Sequence, residues 1–329
     1  MAPTPLDTDL NLLVRQLYRI ARSTPTPKFK DAALEALSTL IPLEAAIWGT
    51  IVHKPGGAHI HAGHLYKLPP QMIAEYEAVK QHDILSINAN TRPGNTINFS
   101  ISGTKWKLHP SLLLHIRKWG FHNTLATLWA DPVLGVSTAI SFYRGATGPT
   151  FTQRERRLKQ LLMLHLVETW NLNAILYFDR PPNDLNSLHR AHALIDREGI
   201  VYNADARFAE LLRSEFAGWK GPQIPTPLTK RLLEAEGESY RGAAIVASRK
   251  RAVEDGLFLI NVRPLSGVDH LSPREFAVAR DFADGKTYKE IAQKLGISPA
   301  TVRNQLQSAY HKLGVRSKIA LAHQLAETV

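Results

Sequence analysis

The stretch LSPREFAVARDFADGKTYKEIAQKLGISPATVRNQLQSAYHKLGV, residues 271–315, decides how the end of this 329-residue chain folds. Ser272 can cap a helix, Pro273 suits its first position, and Glu275 completes a capping box in which side chain and backbone satisfy each other's donors. Phe276, Ala279, Phe282 and Ala283 give that helix an apolar stripe, and Gly285 ends it. A second box, Thr287-Tyr-Lys-Glu290, opens a helix that buries Ile291, Ala292 and Leu295, and Gly296 is free to take a positive φ. Ser298-Pro299 starts a third helix, with Val302, Leu306, Ala309 and Leu313 on one face before Gly314 stops it. Its opposite face carries Arg303, Asn304, Gln307 and His311, flanked by Thr301 and Ser308.

Two short helices joined by a tight glycine turn, the second polar on its outer face, suit reading of a DNA major groove. Arginine can form paired bonds to guanine, and asparagine or glutamine to adenine. Thr301, Arg303, Asn304, Gln307, Ser308 and His311 are therefore the base-reading candidates. Lys286, Thr287, Lys289, Lys294, Ser298 and Lys312 are placed for phosphate, which positions a protein without reading sequence.

Leu271-Ser-Pro-Arg-Glu275, Lys289-Glu-Ile-Ala292, Leu295-Gly-Ile-Ser298, Thr301-Val-Arg303 and Lys312-Leu-Gly-Val315, in this order and spacing, resemble the LuxR-type helix-turn-helix. The resemblance implies a transcriptional regulator that binds double-stranded DNA as a homodimer. It also implies a fourth helix, here from Ser317 to Ala326, in which Leu321 and Leu325 would dimerise. Gln305 stands where histidine is common in that family, and Ala309 where isoleucine is.

Charge alone does not single out this end. The chain carries net +11, and from Leu271 onward nine Lys and Arg face five acids. The segment from Asn183 to His270 balances, so most of the excess lies before it. No cysteine is present, which removes disulfides and thiolate chemistry. No apolar run reaches the ~18–20 residues of a membrane span, and the N-terminus lacks the pattern of a signal peptide. A cytoplasmic protein with no membrane partner is expected.

Working back from residue 271, Asp31 to Leu40 reads as a helix, Ala45 to Val52 as a strand, and Gln71 to His82 as helical. Leu125 to Tyr143 holds two strands broken at Asp131-Pro132. Thr152-Gln-Arg-Glu155 caps a helix through Leu158, Leu161, Leu162, Leu166 and Trp170. Pro181-Pro-Asn-Asp184 marks a boundary. A helix or strand around His189 to Ile195, the turn Asp196-Arg-Glu-Gly199, the strand Ile200 to Tyr202 and the helical Ala204 to Arg213 follow. Strands at Ala243 to Ser248 and Leu257 to Val262 close the segment. No repeat is visible in the residues.

The stretch from Lys118 to Arg144, with Phe151, Thr152 and the leucine-rich helix, resembles GAF-like sensor domains. The turn at 196–199 and Asn203 to Phe208 resemble the start of a PAS domain. The expected fold is α+β and multidomain: a GAF-like α/β sensor (1–180), a PAS-like segment (183–265) and an all-α four-helix reader (268–329). The sensor would take a small-molecule effector and pass its state through the helix from Thr152 to Trp170. A protein partner, or an acyl-homoserine lactone as in quorum-sensing receptors, is the alternative signal. Tyr76 and Asp83 suit the latter, but Ile84 replaces the expected proline and Trp106 lies too far along.

Trp48, Tyr66, Tyr76, Asp83, Trp106, Trp119, Phe121 and Trp129 are the ligand-cavity candidates. His59-Ile-His61-Ala-Gly-His64 places two histidines on one strand face, yet no fourth ligand is evident and no metal or cofactor is assigned. No G-x-S-x-G, H-E-x-x-H or P-loop occurs, so no catalytic residue is assigned and an enzyme is the weakest alternative. On the operator, Arg303→Ala or Gln307→Ala should cost about 1–3 kcal/mol and relax sequence preference. Lys289→Ala should instead weaken binding to all duplexes about equally. Wild-type operator affinity in Arg303→Ala, measured by anisotropy, would refute this orientation of the helix.

Overall fold

Alternation of side chains along extended segments gives each strand two faces, and here both faces of one sheet are apolar. The computed structural model describes residues 5–54, 57–103, 107–178, 191–234, 239–252 and 256–326. Strands β1 (Ala45–Lys54), β2 (Gly57–Tyr66), β3 (Thr96–Ser100), β4 (Asn123–Ala130) and β5 (Val136–Arg144) form an antiparallel sheet ordered β2-β1-β5-β4-β3. Helices α1 (Pro5–Ser23), α2 (Thr26–Ser38) and α6 (Gln153–Phe178) cover one face, burying Leu17, Phe29, Leu37, Trp48, Leu125, Ile140, Phe142 and Leu162. Shorter helices α3 (Gln71–Glu77), α4 (Ile84–Thr91) and α5 (Pro110–Trp119) lie over the other face.

A second antiparallel sheet contains β6 (Ala191–Ile195), β7 (Val201–Ala204), β8 (Ser239–Arg241), β9 (Ile245–Ala252) and β10 (Phe258–Pro264). Its order, β7-β6-β10-β9-β8, repeats that of the first sheet strand for strand. No residue pattern announces this repetition, because hydrogen-bonded backbone order can recur on unrelated side chains. Helices α7 (Ala206–Glu215) and α8 (Thr226–Thr229) pack Phe208, Leu212 and Leu228 against this sheet. The final segment folds as α9 (Pro273–Ala283), α10 (Tyr288–Leu295), α11 (Pro299–Leu313) and α12 (Lys318–Ala326), all-α as expected.

The sequence reading and the structure differ in places that have physical reasons. The strand read at His59 to His64 is part of β2, but a bulge at His61 interrupts its pairing with β1, so His59 and His61 do not share one regular face. The helix over 71–82 stops at Glu77 and resumes as a single tight turn, Lys80–His82, because Asp83 caps the next helix, α4. Ala191–Ile195 resolves as a strand. The boundary at Pro181–Asp184 lies outside the described residues.

The two sheets share apolar contacts. Val52, Leu134 and Val136 of the first half join the cluster around Phe208 and Trp219. Gly221, at φ +69, lies against the backbone there, where a Cβ would sit 1.9 Å from the Leu134 carbonyl oxygen. Only glycine fits that approach.

Lys159 is the least expected core residue. It is fully buried on α6, donating to Thr127 Oγ1 at 2.5 Å and to the Ile140 carbonyl at 2.8 Å, with Nζ 4.9 Å from the Phe142 ring centre. Burial holds this amine well below its ordinary value of 10.5. Between the folded value and 10.5 the unfolded chain binds the extra proton, so stability rises with pH across that window. The cost is fully present below the folded value and is gone above 10.5. The stability of the wild type relative to Lys159→Met should therefore climb as pH rises from the folded value toward 10.5, by up to about 1.4 kcal/mol per pH unit. Parallel denaturation curves at all pH values would show that the amine is not protonated on unfolding.

Candidate DNA-binding face and sensor cavity

The reader is assembled by its caps. Ser272 and Glu275 form the capping box of α9, and Thr287 and Glu290 that of α10. Ser298 caps α11 by accepting from Thr301 N at 3.0 Å. Gly296 and Gly314 end α10 and α11 in the left-handed region, at φ +63 and +65. Val278, Ala279, Ile291, Val302, Leu306 and Ala309 pack between the helices.

This packing leaves Arg303, Asn304, Gln307 and His311 exposed along the outer side of α11, and Lys289 exposed on α10. Thr301 pairs its hydroxyl with Ser298 Oγ at 2.8 Å, at the start of the same helix. Thr287 is occupied in its capping box.

Four other candidates are already engaged within the domain. Ser308 Oγ donates to Glu275 Oε1 at 2.6 Å, and Lys312 Nζ bonds Glu275 Oε2 at 2.7 Å. Lys294 bonds both oxygens of Asp281, at 2.7 and 2.8 Å, and Lys286 bonds Asp281 Oδ1. The Lys312 ammonium, the Ser308 hydroxyl and the Ser272 amide hold the Glu275 carboxyl down to about 2. Glu275 and Asp281 thus fasten α9 to α11 and α10, roles that the sequence reading missed. Their signal was present as acids on the buried side of an amphipathic helix.

Leu321 and Leu325 require a correction. Both are buried in the reader's own core, at 0% and 5% exposure, and so are not available to a second copy. The large apolar residue that α12 exposes is Ile319, at 84%.

The first sheet holds a cavity of about 460 Å³ between its outer face and α3, α4 and α5. Its floor is Ile47, Gly49 and Ile51 of β1, Ala126 and Leu128 of β4, and Ala139, Ser141 and Tyr143 of β5. Met72, Ile73, Leu112 and Ile116 wall it, and His59, Glu77 and Lys80 are among the remaining lining residues. Three of these are linked: Lys80 Nζ lies 2.6 Å from Glu77 Oε2 and 2.9 Å from His59 Nδ1.

Tyr76, Asp83 and Phe121 line this cavity. Tyr76 donates its phenol to Asp83 Oδ2 at 2.7 Å, while Asp83 Oδ1 accepts from the backbone of Leu85 and Ser86. Burial pushes the Asp83 carboxyl up, against the pull of these bonds. Phe121 stacks on Tyr143 with ring centres 3.9 Å apart. His115, also lining the cavity, is pushed down by burial, and its Nε2 has no hydrogen-bond partner.

The remaining aromatic candidates fall elsewhere. Trp48, Tyr66 and Trp129 point to the α1–α2–α6 side of the sheet. Trp48 sits there between Phe29 and Lys30. Trp119 lies off the cavity and donates its ring N–H to Glu75 at 3.1 Å. Trp106 lies outside the described residues. Strand alternation is the reason for the first three, since the neighbours of cavity residues 47, 49 and 128, and of Leu65 on the same side of the sheet, must face away. Tyr143 and His115 went unread, although Ala139, Ser141 and Tyr143 follow the same alternation.

The three histidines of the glycine-rich stretch go to separate partners. His59 meets Lys80, His64 meets Asp31 at 2.8 Å, and His61 meets Asp196 of the second sheet. His61 has no cross-strand partner, since Thr50 pairs with Ala62 and Ile51 with Ile60. This bulge turns its side chain out of the ladder toward Asp196. Asp196 also accepts from the backbone of Glu198 and Ile200, and the Tyr202 ring lies 5.7 Å from that of His61.

Residues 269–325 match the family model described as bacterial regulatory proteins of the luxR family. They form a LuxR-family helix-turn-helix domain. The chain is 47% identical over 60 residues to the transcriptional regulatory protein RcsB of Escherichia coli K12, covering 18% of this chain and 28% of RcsB. It is 44% identical over 57 residues to the transcriptional regulatory protein UhpA of Salmonella typhimurium, covering 17% and 29%. A putative HTH-type transcriptional regulator of Mycobacterium bovis shares 39% over 64 residues, only 7% of its length. The chain therefore spans less than a third of each of these relatives. The crystal structure of Escherichia coli SdiA aligns over 97% of both chains at 15% identity, with a TM-score of 0.39. Among the described residues, no helix is long and apolar enough to cross a membrane.

The face assignment can be checked with an uncharged apolar fluorophore, N-phenyl-1-naphthylamine. Ala139→Leu, which fills the floor, should weaken its binding at least about tenfold, or about 1.4 kcal/mol. Tyr66→Phe, on the other face, should leave it unchanged. Equal titrations for the two variants would place the probe outside this cavity.

Proposed function

We propose that this chain, whose residues 269–325 form a LuxR-family domain, is a DNA-binding transcriptional regulator controlled by a small molecule held against the first sheet. The observation that carries this reading is the coexistence of an outward polar face on α11 with a roomy cavity on another part of the same chain. The cavity lies within the size range of small-molecule sites, and its wall is largely apolar with a few convergent polar groups. That chemistry favours an effector with an apolar body and a hydrogen-bonding group near Tyr76 and Asp83. It also favours a small molecule over a protein partner, which would need an open surface.

Three modules are part of the reading: a sensor (1–180), a second sheet module (183–265) and the reader (268–329). The reader would act as a homodimer on double-stranded DNA, its outward Arg303, Asn304 and Gln307 in the major groove. A signal has a physical route out of the cavity. His59 and Ile60 line it, and the adjacent bulged His61 contacts Asp196 in the β6–β7 turn of the second sheet. An effector with different affinity for two arrangements of that contact would shift their populations.

Native mass spectrometry of the chain purified from its own host should show a retained small molecule that Ala139→Leu loses. The same compound should raise thermal stability with its concentration in the wild type. No retained compound, together with equal reporter transcription from wild type and Ala139→Leu, would refute control through the cavity.

A further inference from the structure

Two of the four buried residues on α9 are acids, and each draws a lysine from the side of the domain that faces DNA in the reading above. Glu275 is also a capping residue. Asp281 has no such duty: its carboxylate, with 6% of the side chain exposed, accepts no backbone cap and is met by Lys286 and Lys294. A buried charge is costly unless it is paired, so this acid must recruit cations from nearby. The cations within reach are the lysine after Gly285 and the one in the last turn of α10. Burial pushes the Asp281 carboxyl up, but the bonds from both lysines outweigh it and keep it ionised at neutral pH.

The two ammonium groups remain partly open, with 38% and 55% of the side chains exposed. They can reach a phosphate only while sharing themselves with a carboxylate. Two positive charges face the one carboxylate between them, and the Asp284 and Glu290 carboxylates add further negative charge around Lys286. A phosphate oxygen brought to either lysine also comes within a few ångströms of Asp281, where like charges oppose each other.

We propose that Asp281 competes with DNA phosphate for Lys286 and Lys294, and so holds sequence-independent DNA affinity below what these lysines would otherwise give. This rests on the DNA-binding reading of the domain. Phosphate contacts supply nearly all non-specific binding, whereas base contacts specify. Damping the former leaves a larger share of the binding to Arg303, Asn304 and Gln307. Asp281 acts only through the two lysines and is a positioning residue.

The test uses the full chain and a mixed-sequence duplex, with affinity followed by anisotropy across a KCl series. Asp281→Asn should tighten binding about fivefold, equivalent to about 1 kcal/mol. It should also steepen the plot of log affinity against log salt by about one. Asp281→Glu, which keeps the charge, should follow the wild type. In a Lys286→Ala, Lys294→Ala background, Asp281→Asn should have no effect.

Unchanged or weaker binding by a folded Asp281→Asn protein overturns the proposal, as does equal tightening without the lysines. A second reading needs no change at Asp281. Removing both lysines should reduce the salt slope by about 0.9, one phosphate's worth, and a loss of about 1.8 or more would show both fully engaged and overturn it. A wild-type chain that binds no duplex at any salt concentration overturns the DNA-binding reading itself.

Discussion

Alternation along β1, β4 and β5 sends Trp48, Leu125, Ile140 and Phe142 to one side of the first sheet, and Ile47, Gly49, Ala126, Leu128 and Ala139 to the other. Both sides are apolar, so both must be covered. The first side is covered by α6, of 26 residues, with α1 and α2, and its side chains are large enough to fill the space. The second is roofed by helices of seven, eight and ten residues over a floor in which Gly49, Ala126, Ala139 and Ser141 are interspersed among larger side chains. Short helices and small residues leave the space unfilled. The cavity is the direct consequence, and Tyr76, Asp83 and His115 are drawn out of solvent because they share that wall.

The two sheets are tied where β1 and β2 leave regular pairing. Val52 leaves the first core for the second, and the unpaired His61 reaches Asp196. Gly221 closes against Leu134 on the other side of the junction. A few residues of one hairpin therefore border the cavity and the second sheet together. From there β10 runs into the reader through a tight turn, Gly267–His270, in which Asp269 accepts from the amide and hydroxyl of the capping residue Ser266 and takes a paired bond from Arg263 at 2.6 Å. Burial raises the Asp269 carboxyl, but these bonds hold it at about 2, so it stays charged near neutral pH.

Within the reader, apolar packing fixes which way α11 faces, and buried carboxylates fix how α9 is fastened to its neighbours. Glu275 does this for α11 and Asp281 for α10. Basic residues on this domain thus divide into those that serve the fold and those left for a polyanion. Counting lysines in the sequence does not make that division, and Lys286, Lys294 and Lys312 belong in good part to the first group.

The sequence by itself determined the reader: caps at Ser272, Thr287 and Ser298, stops at Gly296 and Gly314, and the outer face through Arg303, Asn304 and Gln307. Those features are local, set by hydrogen bonds three or four residues apart and by helical periodicity, so no distant contact can hide them. It also gave β1, β4, β5 and the capped start of α6 for the same reason. Only the tertiary structure decided which aromatics meet the cavity, that β2 bulges at His61, that both sheets share one order, and that Leu321 and Leu325 face inward. Each of those depends on pairing or packing between residues far apart in the chain, and a side chain's type does not record which neighbour the fold will bring to it.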